Sequence, residues 1–224
     1  MTRLRQGLVA MVAVAGLWAR AAGPAAAGDI TAMVRYQVNQ PVEDAVLLAA
    51  PEGRPAAVPE KPGREIVDQI NLEFVPHVKP VVVGSPVYFP NKDDVRHHVY
   101  SFSPAKRFEL PLYSGTPAAP VVFDRVGIVA IGCNIHDWML GYIYVAETPY
   151  LARTGADGRV RLEGLPAGRY VVRVWHPRLE GAEEATNRAV SLDRTGAADL
   201  AWQLTLKSSV RPRRAPVPGQ RGYR

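Results

Sequence analysis

The sequence predicts an all-β protein, and three features carry that prediction. Short segments of alternating or continuous β-branched and aromatic residues recur about every 8 to 14 residues. Turn compositions separate them, among them Pro51-Glu-Gly, Lys61-Pro-Gly, Gly84-Ser-Pro and Asn91-Lys-Asp-Asp. No stretch sustains a long apolar pattern at a 3.6-residue period. Strands of this length, number and spacing bury their apolar faces as a sandwich or barrel.

In chain order the expected strands of a first unit, residues 28–148, are 30–38, 45–48, 66–74, 81–89, 97–102, 121–123, 127–131 and 142–146. After Thr148-Pro149 the texture changes to Thr154-Gly-Ala-Asp-Gly158 and Leu165-Pro-Ala-Gly168, turn compositions that flank strands at 159–162 and 169–175. Two further strands, 185–192 and 200–206, complete a smaller β unit over 149–207. Four strands bury little surface by themselves, so this unit is expected to lean on the first.

The two ends carry no part of the expected fold. Arg3 and Arg5 precede an uncharged apolar run over 7–19, too short to span a bilayer comfortably, and Ala25-Ala26-Ala27 makes an A-x-A pattern ahead of Gly28-Asp29. Residues 1–27 are therefore expected to be a secretory signal, which makes the protein periplasmic. No later stretch holds about 18 consecutive apolar residues, so no membrane span is expected. Residues 208–224 are mostly Arg, Pro, Gly and Ser, too poor in apolar groups to offset the entropy of ordering, and read as a flexible basic tail.

The formal charge is +6, from 27 basic and 21 acidic residues. Three arginines lie in the signal and five in the tail; without those eight, 19 basic residues face 21 acidic ones. A near-neutral body excludes nucleic acid as an expected partner. Cys133 is the single cysteine. An unpaired thiol in an oxidising compartment is exposed to exchange and overoxidation, so either burial or metal ligation must protect it.

The neighbours of Cys133 favour ligation. In Gly132-Cys133-Asn-Ile-His136-Asp-Trp-Met139, a thiol, an imidazole and a thioether follow at three-residue intervals. Soft sulfur donors select copper over magnesium or calcium, and two histidines with one cysteine and a weak axial methionine are diagnostic of a blue-copper site. The second histidine must come from elsewhere, and Asn91-Lys-Asp-Asp-Val-Arg-His97-His98, following the strand over 85–89, can supply it. Zinc stays open through one Cys and two His, with Asp137 close enough to be a fourth donor. Trp138 fits either a core anchor or an apolar rim around His136. His77 and His176 have no ligand partner at a recognisable spacing and read as structural.

The spacing Cys-x2-His-x2-Met, with Asn-x5-His some forty residues earlier, resembles the cupredoxins, in particular amicyanin and plastocyanin, over roughly residues 66–146. The resemblance implies a Greek-key β-sandwich or barrel holding one type 1 copper ion through His97, Cys133, His136 and Met139. It places the distant ligand six residues after Asn91, at His97, with His98 and Asn91 as the bracing or alternative positions. The usual Asn after this ligand is replaced by His98. The second unit is similar to the transthyretin-like, carboxypeptidase-regulatory sandwiches, which are usually non-catalytic, and residues 28–50 loosely match that fold's opening strands, so that crossing over to complete the small sandwich is the alternative to their place in the first unit.

What the resemblance implies is single-electron carriage between transient redox partners, such as a dehydrogenase and a c-type cytochrome, and no catalysis. Rival functions are a copper chaperone or storage protein and a metal-free structural or adaptor module. A multicopper oxidase or nitrite reductase would need more histidines than the five present, including one directly beside the cysteine, where Gly132 and Asn134 stand.

Overall fold

The computed structural model describes residues 27–53, 55–193 and 196–208. The expected signal, apart from Ala27, and the tail beyond Ser208 lie outside the described residues. The first three strands are β1 (Ala27–Tyr36), β2 (Gln40–Pro41) and β3 (Val46–Pro51). The middle of the chain forms β4 (Glu65–Ile66), β5 (Asp68–Ile70), β6 (Glu73–Val75), β7 (Val78–Val82), β8 (Ser85–Tyr88), β9 (His97–Ser103), β10 (Lys106–Tyr113), β11 (Val121–Phe123), β12 (Gly127–Gly132) and β13 (Leu140–Ala146). The last five are β14 (Leu151–Arg153), β15 (Arg159–Pro166), β16 (Gly168–Trp175), β17 (Arg188–Leu192) and β18 (Ala197–Leu204). The fold is all-β: among the described residues the helical content is one 3-10 turn, Glu183–Thr186. The sheets stay open and do not close into a barrel.

One sandwich is built from both ends of the chain. A sheet ordered β15-β1-β18, with β2 on β1, packs against a sheet ordered β14-β3-β16-β17. Ile30, Val34, Leu47, Leu165, Tyr170 and Val174 fill the space between them. The unit expected over 149–207 thus also takes the strands at residues 27–51, through antiparallel pairing of β3 with β16 and parallel pairing of β1 with β18. Gly158 turns the chain into β15 with φ of 73°, where a Cβ would lie 2.5 Å from the Val34 carbonyl oxygen, so this position requires glycine.

Strands β4 to β13 make the other sandwich. Its five-stranded sheet runs β10-β9-β12-β13-β7, against a three-stranded sheet β11-β8-β4 and the β5-β6 hairpin. Phe74, Val87, Phe89, Val99, Phe123, Ile131 and Ile143 form its core, which Cys133 and Met139 join at one end. The apolar run over 81–89 breaks at Gly84, so that β7 and β8 enter different sheets. The run over 66–74 likewise divides at Asn71 and Leu72, both at positive φ.

The sandwiches share a third apolar cluster of Val46, Leu48, Val78, Tyr144 and Ala146, with Tyr142 and Trp175 packed against it. Strand β3 is buried on both faces: Ala45, Leu47 and Ala49 belong to the first core, whereas Val46 and Leu48 face the other sandwich. Two-sided burial is why this segment is continuously apolar and not alternating. Each of Val46, Leu48 and Val78 contributes about 1.5–3 kcal/mol by burial. At the edge of the contact the Tyr144 hydroxyl and the Arg173 Nε donate to Glu183 at 2.5 and 2.8 Å, and a second Arg173 nitrogen reaches Glu147 at 3.0 Å.

Candidate metal centre

Two segments meet at one end of the sandwich built from β4 to β13. The first is the turn that opens β9, and Asn91 organises it. This side chain, 5 % exposed, donates to the Val95 carbonyl at 2.8 Å and the Tyr113 carbonyl at 3.0 Å, and its Oδ1 accepts from the Asp93 amide at 3.0 Å. Asn91 therefore braces the loop through neutral hydrogen bonds. Successive strand residues point to opposite faces, so His97 turns into the core and His98 outward. His97 is 0 % exposed, and His98 pairs its Nε2 with the Glu109 carboxylate at 2.8 Å.

The second segment is the loop between β12 and β13. The Met139 amide donates to the His136 carbonyl at 2.9 Å and the Cys133 amide to the Met139 carbonyl at 3.2 Å, which folds the seven residues from Cys133 to Met139 into a tight closed turn. Cys133 and Met139 are 4 % and 2 % exposed, and His136 is half-buried.

These segments bring His97, Cys133 and His136 together, with one donor atom from each lying within 4.8 Å of the others. The Cys133 Sγ lies 4.0 Å from His97 Nδ1 and 3.7 Å from His136 Nδ1. A trigonal cation with bonds of about 2.3 Å to sulfur and 2.0 Å to nitrogen requires S···N separations near about 3.7 Å. The residues therefore fit a metal ion, and the donor types, one thiol and two imidazoles beside a buried thioether, suit a soft or borderline one.

A further residue, Asp93, is legible in the sequence only as part of a turn. Its Oδ2 meets His97 Nε2 at 2.8 Å, while the amides of Asn71 and Leu72 donate to its two oxygens at 2.6 and 2.9 Å. Burial pushes its pKa up, but the Leu72 amide, the His97 ring and the Asn71 amide outweigh that and hold it below the usual carboxylate value. A carboxylate only accepts, so His97 Nε2 carries a proton and Nδ1 is the ring nitrogen turned toward Cys133. The signal available in the sequence is an Asp four residues before the histidine.

His136 is held differently. Its ring lies 5.0 Å from that of His97 and 5.3 Å from that of Trp138, centroid to centroid. Burial, followed by the neighbouring His97, lowers its pKa, which keeps the ring neutral and able to donate a lone pair. Trp138 is half-buried and packs partly against the core, between the two roles the sequence allows. Across from His97, Tyr113 donates to the Phe89 carbonyl at 2.6 Å and accepts from the fully buried Gln69 at 2.6 Å; burial pushes its pKa up to about 12. His77 stacks edge-on to Tyr142, and His176 Nδ1 accepts from the Arg178 amide at 3.1 Å; neither joins the cluster.

No protein-family model matches the chain, and no curated protein matches it. Solved structures do. A copper-containing nitrite reductase from Thermus scotoductus is 26% identical with a TM-score of 0.36, over 42% of this chain and 25% of that one. The chain thus spans a quarter of that enzyme's length. A purple cupredoxin from Nitrosopumilus maritimus is 22% identical with a TM-score of 0.33, over 37% of this chain and 99% of that one. A reduced variant of amicyanin is 23% identical with a TM-score of 0.34, over 44% of this chain and 98% of that one.

Proposed function

We propose that this protein is a periplasmic type 1 copper protein that carries single electrons between redox partners, and that it is not an enzyme. The observation that supports this most is the convergence of one donor atom each from His97, Cys133 and His136 within 4.8 Å, with both Nδ1 atoms turned to the Cys133 Sγ, in a buried site beside Met139. Copper held there supplies one-electron chemistry through its Cu(II) and Cu(I) states.

The chain's own residues account for the rest. Cys133 offers a sulfur excluded from water, and at 4 % exposure it is shielded from disulfide exchange. Asp93 fixes the tautomer and orientation of His97 before any metal arrives. The backbone bonds from Cys133 to Met139 and from Met139 to His136 hold the loop in one shape, so little ligand motion accompanies a change of oxidation state. Half-buried His136 brings a ligand ring to the surface, where a c-type cytochrome or a dehydrogenase reaches it through a small transient interface. A storage or delivery protein needs exchangeable ligands, whereas His97 and Cys133 are enclosed.

The test is Cu(II) added to purified protein, with the visible spectrum of wild type set against Cys133→Ser. Intense blue thiolate-to-copper absorption at one copper per chain, absent from the variant, is expected. Failure to take up copper in the wild type overturns the carrier function in favour of a metal-free adaptor.

A further inference from the structure

The seam between the two sandwiches is open where it reaches Trp138. Two cavities lie there side by side, of about 360 and 200 Å³, and Trp138, His77, Leu140 and Glu43 line both. The larger takes its walls from both units: Tyr36 ends β1, His176 and Arg178 follow β16, and His77, Trp138 and Tyr142 come from the other sandwich. Neither sandwich alone encloses it. Its size falls within the roughly 300–1,000 Å³ of small-molecule sites.

The lining is chemically specific. All of those side chains except Arg178 carry flat rings, and His77 meets Tyr142 edge-on with centroids 5.5 Å apart. Flat walls suit a flat guest, which gains from offset or edge contacts. Arg178 brings the positive charge. One of its nitrogens reaches the Lys207 carbonyl at a long 3.4 Å, and its Cζ lies 5.8 Å from the centre of the Tyr36 ring. A guanidinium has five N–H donors in a fork that matches a carboxylate. The backbone fixes its place: the Lys207 amide donates to the Arg178 carbonyl at 2.8 Å, and the Glu180 amide to the Thr205 carbonyl at 2.9 Å. The wall also holds Asp44 and Glu43. Asp44 is 1 % exposed and neutralised by its ion pair with Arg153, so Glu43 supplies the negative charge.

Rings, one guanidinium and one carboxylate are the complement of a guest with a ring, a carboxylate and an ammonium group. We propose that this cavity binds a free aromatic amino acid, with its ring among Tyr36, Trp138 and Tyr142, its carboxylate on Arg178 and its ammonium on Glu43. Binding is reversible, with no bond formed or broken, and it needs no copper.

The site also touches the metal loop. The indole nitrogen of Trp138 is buried without a hydrogen-bond partner, so packing alone positions this ring between the cavity and His136, 5.3 Å away centroid to centroid. Met139 follows Trp138 in the chain and lines the smaller cavity. A guest against Trp138 therefore presses on the residues beside the donor cluster. This coupling, unlike the binding, rests on the copper-carrier function above.

The test is calorimetry on purified metal-free protein with L-phenylalanine and two probes that each lack one group: 3-phenylpropanoate, without the ammonium, and 2-phenylethylamine, without the carboxylate. One phenylalanine per chain is expected, bound at least tenfold more tightly than either probe. Arg178→Gln should weaken phenylalanine tenfold or more and leave 2-phenylethylamine unchanged. Glu43→Gln should weaken phenylalanine likewise and leave 3-phenylpropanoate no weaker. Equal affinities for the three compounds, or no binding of phenylalanine, tyrosine or tryptophan, overturns the site, and this wild-type series decides without relying on the variants. An Arg178→Gln loss as large for 2-phenylethylamine as for phenylalanine overturns the carboxylate contact. In copper-loaded protein, saturation with phenylalanine should shift the blue band; an unmoved band overturns the coupling through Trp138. A wild type that takes up no copper sinks the carrier function and the coupling, while the binding heat still decides the site.

Discussion

The two histidines of the cluster are held by opposite means. His97 opens a strand, is fully enclosed, and has its far nitrogen fixed by Asp93, itself gripped by the amides of Asn71 and Leu72. His136 sits in a short loop, half-buried, between the rings of His97 and Trp138. The scaffold thus spends hydrogen bonds on one ligand and leaves the other near water. A buried polar ring must be fully satisfied, whereas a ring at the surface is not so constrained. The difference teaches that, in the proposed copper site, one histidine would define where a metal sits and the other would give access to it.

The largest expected effect separates the two directly. His136→Gly should open a gap that solvent reaches, and added imidazole should restore blue absorption to a large part of its wild-type intensity. His97→Gly leaves a sealed cavity, and added imidazole should not restore it. Equal rescue of both variants, titrated by visible spectroscopy, would break the comparison.

A smaller effect belongs to Asp93. Asp93→Asn keeps the shape but replaces the carboxylate by a neutral amide with one acceptor oxygen, for which the Asn71 amide, the Leu72 amide and His97 Nε2 then compete, and partners of metal-bound histidines typically matter by about 10- to 100-fold in metal affinity. Competition with a copper chelator measures this, and the loss should exceed that from Trp138→Leu, the corresponding change beside His136. An Asp93→Asn affinity equal to wild type would mean that His97 is held by burial alone.

Asn91 gives the smallest of the three. Its amide group bridges Val95, Tyr113 and Asp93, whose backbone groups are partly exposed, so water replaces much of what Asn91→Ala removes and the net cost is about 0.5–1.5 kcal/mol. Urea unfolding of the metal-free protein should show a lower midpoint with an unchanged slope. The same measurement on Asn134→Ala, an exposed position in the His136 loop, should move the midpoint little.

The loop from Cys133 to Met139 was readable as a cluster of donors because its information is local. Cys133, His136 and Met139 lie within seven residues, and the turn that gathers them is closed by their own backbone. The choice between His97 and His98 was not, since it depends on which face of β9 meets the core, and both faces of that strand end in buried histidines. Strand β10 escaped the pattern as well: it lies at the sheet edge, its alternation rests on two inward residues, Phe108 and Leu110, and Pro111 interrupts the run directly after them. Strand β14 is three half-buried residues, too short to show alternation.

The sequence by itself determined the β class, the donor types and the spacing of the loop that carries two of them, because periodicity and short-range geometry are written in consecutive residues. Tertiary structure alone decided that Asp93 meets His97, and it turned the loose match of residues 28–50 to a second sandwich into pairing of those strands with the ones from Leu151 onward. Each of those contacts depends on how strands order within a sheet. That order is set by which apolar faces must be buried together across the whole chain, and no local run of residues records it.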